Sequence, residues 1–212
     1  MPNQFFFKHS LMRLFFALVF SISSFHLAAQ DNLLNDLMQT QDTTTSLLPK
    51  KMLFTQRIFW GEHGLLRGAS PLNAVNREKE LKLRRGMLVT HQVLGFVTLG
   101  GMIGQGIVGA KLYNATGNNY RNLKDLHEGL GAAVNFTYST TAIMSLFAPP
   151  PLINRDKKAS SIRIHKWLAV LHMSGMIATN VLAGNYKLKA YHRAAAYTTF
   201  ASYAAAVIAI KF

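Results

Sequence analysis

Histidine is the residue of this chain whose type and placement best fit chemistry. Eight are present, and five of them, His91, His127, His165, His172 and His192, fall within or beside stretches free of charged residues. A histidine inside an apolar span is costly and marks a functional site by default. His91, His127, His165 and His192 each lie within the first turn or two of such a stretch. In an antiparallel helical bundle, successive starts alternate sides. His91 and His165 then share one side, and His127 and His192 share the other. Two histidine pairs at two depths are what two bis-histidine b-type haems need. Four residues after each stands a small residue, Gly95, Gly131, Ala169 and Ala196. These lie one helical turn deeper on the same face, where a bulky side chain would collide with a porphyrin plane. His172, seven residues beyond His165, is an alternative ligand, a proton relay or a partner for a backbone carbonyl. Met102, Met173 and Met176, with Tyr138, Tyr197 and Tyr203, read as packing.

The elements that must position these residues follow from the distribution of charge. Among 212 residues, half are hydrophobic and only 15% charged, with a mean hydropathy of +0.14. Soluble domains carry about 25% charged residues, so this chain lacks the groups that make a wetted surface. Residues 86–110, 129–153, 167–186 and 194–210 contain no Asp, Glu, Lys or Arg. About 20 apolar residues cross a bilayer. The expected fold is therefore an all-α, up-down four-helix transmembrane bundle over 86–212. The apparent Gly100–Gly104 motif reads as helix packing.

Lys8 and Arg13 precede the apolar run Leu14–Ile22, and Ala28-Ala29 follow it. That order reads as a cleavable signal peptide over 1–29. Residues 30–85 then form an extracytoplasmic extension that begins as a polar tether. Within it, Leu53, Phe54, Ile58, Phe59 and Leu65 have helical spacing, beside Trp60. This predicts a short amphipathic helix on the membrane surface or against a partner subunit. Ser70-Pro71 signals a helix start, and Glu78/Lys82 and Glu80/Arg84 are spaced as i,i+4 pairs.

The net charge of +14 would suggest nucleic acid on a soluble protein. Here the basic residues flank the apolar stretches, where membrane lipid or haem propionates would meet them, so no nucleic-acid partner is expected. Eleven lie on the side where the first span starts and six on the other. The positive-inside rule would put the eleven in the cytoplasm, whereas a cleaved signal puts them outside. The order of the signal's basic, apolar and small regions outweighs the charge bias, so an integral protein of a bacterial inner membrane with a periplasmic extension is expected. Arg84, Arg85, Arg163 and Lys166 on one side, and Lys124 and Arg193 on the other, are placed to pair with propionates. The absence of cysteine excludes disulfides, thiolate catalysis, iron–sulfur clusters and covalent haem attachment.

Four segments, Thr90-His91-Gln-Val-Leu-Gly95, Leu126-His127-Glu-Gly-Leu-Gly131, Ile164-His165-Lys-Trp-Leu-Ala169 and Tyr191-His192-Arg-Ala-Ala-Ala196, resemble the four-helix core of the cytochrome b561 family. They are similar in style to its ferric-reductase-like and domain-fused members. The resemblance covers residues 86–212. It implies that His91 and His165 hold one haem iron and His127 and His192 the other. It further implies transmembrane electron transfer from an ascorbate-like or other reductant toward ferric iron or a redox partner. Ala169 and Ala196 stand where the family often has glycine, His172 is extra, and two flanking spans of larger members are missing. The competing expectation is a haem-free structural or accessory subunit, its histidines bonding backbone carbonyls or a metal ion. A separate redox protein or diffusible electron carrier is the expected partner.

Overall fold

The computed structural model describes residues 47–152 and 159–211. The chain divides into two units, Met1–Ser46 and Leu47–Phe212, and all described residues belong to the second. The expected signal peptide and most of the tether lie outside the described residues.

All regular structure among the described residues is helical. Helix α1 spans Phe54–Trp60, and a 3-10 turn covers Leu65–Gly68. Four long helices follow: α2 Ala74–Tyr113, α3 Gly117–Leu146, α4 Ala159–Leu182 and α5 Lys189–Lys211. A second 3-10 turn, Tyr186–Leu188, leads into α5.

Their boundaries differ from the uncharged stretches for a physical reason. Absence of charge reports where hydrocarbon could be, not where a helix ends. Helix α2 begins twelve residues before Gly86, with Asn73 as its N-cap accepting the Asn76 amide at 2.9 Å. Ser70 is not the cap; its hydroxyl donates to Glu80 at 2.8 Å. The charged link between the first two uncharged stretches, residues 111–128, is almost wholly helical. The chain reverses over three residues, 114–116, and Gly117 accommodates the turn with φ of +59°. Gly184, at φ +78°, serves the α4–α5 reversal in the same way. Helix α3 stops at Leu146, short of Ile153, because prolines 149–151 supply no amide donors and restrict the residue before them.

The four long helices are antiparallel neighbours. In one hairpin, an added β-carbon at Gly101 would lie 2.8 Å from Val134, and one at Gly104 would lie 3.3 Å from Leu130. In the other, a β-carbon at Gly175 would lie 2.4 Å from the Thr199 hydroxyl. Gly100 faces open space, so the packing glycine is its neighbour. The hairpins meet where Tyr203 donates to the Gly95 carbonyl at 3.1 Å, and where Asn135 and Asn180 exchange hydrogen bonds at 2.9 and 3.0 Å. Met102, Val134, Tyr138 and Tyr203 form the central cluster, with Met176 packed against it.

Among the described residues, α2 is the one helix whose length and apolar composition suffice to cross a membrane. Asparagine, threonine, serine, tyrosine and glycine dilute the others. All four nevertheless expose large apolar side chains, and some small polar ones are buried. Thr98 is wholly buried and Ser202 only 5% exposed, whereas Phe136, Trp167 and Val181 are more than 70% exposed. The buried hydroxyls of Thr141, Thr199 and Ser202 are satisfied by carbonyls one turn back.

The segment 47–85 caps one end of this assembly. The last carbonyls of a helix lack partners, and a proline run offers further unpaired carbonyls. Here a row of side chains meets them. Thr55 donates to Leu146 at 2.5 Å, Trp60 to Phe147 at 2.9 Å and Gln56 to Ala148 at 3.1 Å. Arg84 donates to Pro149 at 2.6 Å and Arg77 to Pro150 at 3.2 Å. Phe59 and Phe147 pack edge to face at 5.2 Å. Helix α1 thus docks on its own chain and still leaves Phe54 exposed, as the following 3-10 turn leaves Leu65.

Beneath it lies a buried ion network. Glu80 pairs with Arg67 and Arg77, both at 2.5 Å, and the Arg67 guanidinium also bonds the Trp60 carbonyl. The expected Glu80/Arg84 pair is absent because Glu80 turns inward to these partners, while Glu78/Lys82 forms at 2.7 Å. Burial acts to raise the Glu80 pKa, but hydrogen bonds from Arg67, Arg77 and Ser70 outweigh it and hold the carboxyl below its ordinary value.

Candidate functional site

The fold brings the four histidines together in two pairs, each drawing one ring from each hairpin. His91 of α2 faces His165 of α4 with ring centroids 6.1 Å apart. His127 of α3 faces His192 of α5 at 6.3 Å. The rings within each pair are steeply inclined, at 81° and 74°.

Hydrogen bonds within each hairpin hold these rings. His91 Nδ1 lies 2.9 Å from the Thr141 carbonyl, His165 Nδ1 2.9 Å from Ala206, and His192 Nδ1 2.9 Å from Thr179. A carbonyl can only accept, so Nδ1 carries the proton and Nε2 is left as a free donor atom. His127 differs: its Nε2 lies 3.2 Å from the side-chain nitrogen of Gln105, which also donates to the His127 carbonyl at 2.9 Å. Its Nδ1 is buried without a partner, as are Gln105 Oε1 and Thr98 Oγ1.

A regular spacing underlies this arrangement. The residue serving an opposing histidine stands fourteen positions after its own helix's histidine: Gln105 after His91, Thr141 after His127, Thr179 after His165, Ala206 after His192. Fourteen residues are two heptads and return nearly to the same helix face. At 1.5 Å per residue they separate the two pairs by about 21 Å along α2.

His172 joins neither pair. Its Nδ1 lies 2.7 Å from the Tyr138 hydroxyl, and its ring stacks edge-on against Tyr203 at 4.9 Å. Tyr138 and Tyr203, expected as simple packing, thus form a buried polar aromatic group with His172 between the two pairs. Met102 packs in the core, whereas Met173 and Tyr197 are exposed.

The small residues show where space lies. A β-carbon at Gly95 would meet only the Tyr203 hydroxyl, at 3.6 Å, whereas one at Gly131 would lie 2.9 Å from the Gln105 amide. Ala169 and Ala196 are half-buried. Gly109, which the four-residue spacing does not reach, touches a histidine directly. A β-carbon there would lie 2.9 Å from His127 Cε1. Some of the basic residues are otherwise engaged. Arg84 bonds Pro149, Lys124 pairs with Glu128 at 2.7 Å, and Arg193 and Lys189 stack over the Tyr113 ring at 4.3 and 4.4 Å.

Two imidazoles on one iron, each bonded at about 2 Å, would have ring centroids about 6 Å apart, which is the spacing of both pairs. The donor set also fits. Among the described residues no three His, Asp or Glu side chains converge on one point. Two nitrogens alone make a poor protein-only metal site, but they suit an iron whose other positions a macrocycle fills. The chain matches no protein-family model, no curated protein and no solved structure.

Proposed function

We propose that this chain is a four-span membrane protein of the cytochrome b561 type, carrying electrons through two non-covalent b-type haems. His91 and His165 would hold one haem and His127 and His192 the other. Each haem would supply a reversible one-electron carrier. The observation that carries this reading is the pair of opposed rings at 6.1 and 6.3 Å. Three of the four rings also have Nδ1 fixed by a carbonyl and Nε2 free, the second-shell pattern of histidine ligands. The large apolar side chains exposed on all four long helices support four membrane spans. A bacterial inner membrane and a periplasmic cap are part of the same proposal.

The residues divide the work. Carbonyls of Thr141, Ala206 and Thr179 orient the rings, and Gly95 and Gly109 keep the nearby helix surfaces low. The core from Thr98 to Met102 separates the two pairs and excludes water between them. On this reading the electron partner would be a separate redox protein or a diffusible carrier.

The three carbonyl bonds also favour a second reading, a haem-free accessory subunit in which they alone satisfy the histidines. Purified His91→Ala and His127→Ala variants separate the two. On the electron-transfer reading each loses one haem and keeps the reduced-minus-oxidised bands of the other. Variants with spectra identical to the parent, or a folded parent without haem bands, would reject it.

A further inference from the structure

We infer that Gln105 is the positioning residue for His127, doing with a side chain what a backbone carbonyl does for the other three histidines; this rests on the haem reading above. The register singles it out. Gln105 occupies in α2 the place, fourteen residues after the helix's histidine, that Thr141, Thr179 and Ala206 occupy in theirs. At those three the acceptor is fixed main chain at 2.9 Å. At Gln105 the partner is instead a rotatable amide, whose nitrogen faces the ring.

The orphaned atoms say what that amide is for. A histidine that ligates through one nitrogen keeps its proton on the other and needs an acceptor for it. His127 Nδ1 and Gln105 Oε1 are both buried and both lack a partner. Leaving two such groups unpaired is expensive. The amide nitrogen meanwhile caps His127 Nε2 at 3.2 Å. One side chain therefore carries the donor that occupies an unligated ring and the acceptor that a ligating ring requires. Gly109, one turn further along α2, completes the slot, since a β-carbon there would strike the ring. The His127/His192 site thus depends on a side chain in a way the His91/His165 site does not.

Haem content by the alkaline pyridine spectrum, low-spin ferric signals and redox titration of the purified full-length protein test this. Gln105→Leu, which has neither donor nor acceptor, should reduce two haems per chain to about one, with the surviving signals those that His127→Ala also keeps. Gln105→Glu retains an acceptor and should keep both haems. Its carboxylate strengthens the bond from the ring N–H, so one midpoint potential should fall while the other stays. Gly109→Ala should disturb the same component. Two haems with unchanged potentials in Gln105→Leu would overturn the inference alone. Equal loss of both haems in Gln105→Leu and Gln105→Glu would also overturn it, because the effect would be structural. A haem-free parent overturns the haem reading together with this inference.

Discussion

The two ends of the helical assembly solve the same problem with different materials. At the His91/His165 end both rings lean on main-chain carbonyls, beneath a cap whose side chains saturate the end of α3. At the His127/His192 end one ring has a carbonyl and the other a glutamine amide, and the neighbouring cations lie over Tyr113 rather than in a buried network. A main-chain partner survives almost any substitution; a side-chain partner such as Gln105 does not. The capped end is therefore sensitive to its ions, and the other end to single side chains within the bundle.

Substitutions can break this comparison in order of size. Glu80→Leu leaves Arg67 and Arg77 buried beside each other without their anion, a change that costs about 3–5 kcal/mol. Thermal unfolding should show it, and limited proteolysis should cut within 47–73 while the spectrum of the His127/His192 pair is kept. Gly175→Ala forces a β-carbon to within 2.4 Å of the Thr199 hydroxyl and 3.4 Å of its α-carbon, so α4 and α5 must move apart. About 1–3 kcal/mol should be lost in detergent unfolding. Gly100→Ala, with open space at that position, should be close to neutral. Trp60→Phe removes one hydrogen bond to the Phe147 carbonyl and should cost about 1 kcal/mol, confined to the cap.

Acid sharpens the same contrast. The Glu80 carboxyl is held below its ordinary value of 4.5, so folding releases its proton more readily than the unfolded chain does. Its contribution is fully present above that value and is lost as pH falls through the lower folded-state pKa. Melting curves should be flat in this contribution near neutrality and drop below about pH 4.5, with Glu80→Leu abolishing this part of the acid response.

Much of the helical framework was legible in the sequence, because absence of charge over about 20 residues is a strong signal for apolar helices. Helix ends were not, since Arg121, Lys124 and Asp125 sit comfortably on α3 outside any apolar layer. The histidines stood out through rarity and position. Their supports did not, because carbonyls carry no residue type and Gln105 has an ordinary side chain whose place is set by packing across helices. The fourteen-residue spacing was present in the sequence, but it gains meaning only when two hairpins are laid side by side. The partners of Glu80 were hidden from the sequence for a related reason. Its i,i+4 neighbour Arg84 competes with Arg67, thirteen residues away in sequence and brought close by the 3-10 turn Leu65–Gly68. The cap as a whole leaves no signal in the sequence, because docking on a row of proline carbonyls has no periodicity to read.

The most direct test of the central claim is the haem-to-chain ratio of the protein purified from membranes, measured by the alkaline pyridine spectrum with a reduced-minus-oxidised scan. The account predicts a red protein with two b-type haems per chain and bands from two low-spin centres. A folded, colourless preparation with no bound haem would contradict it.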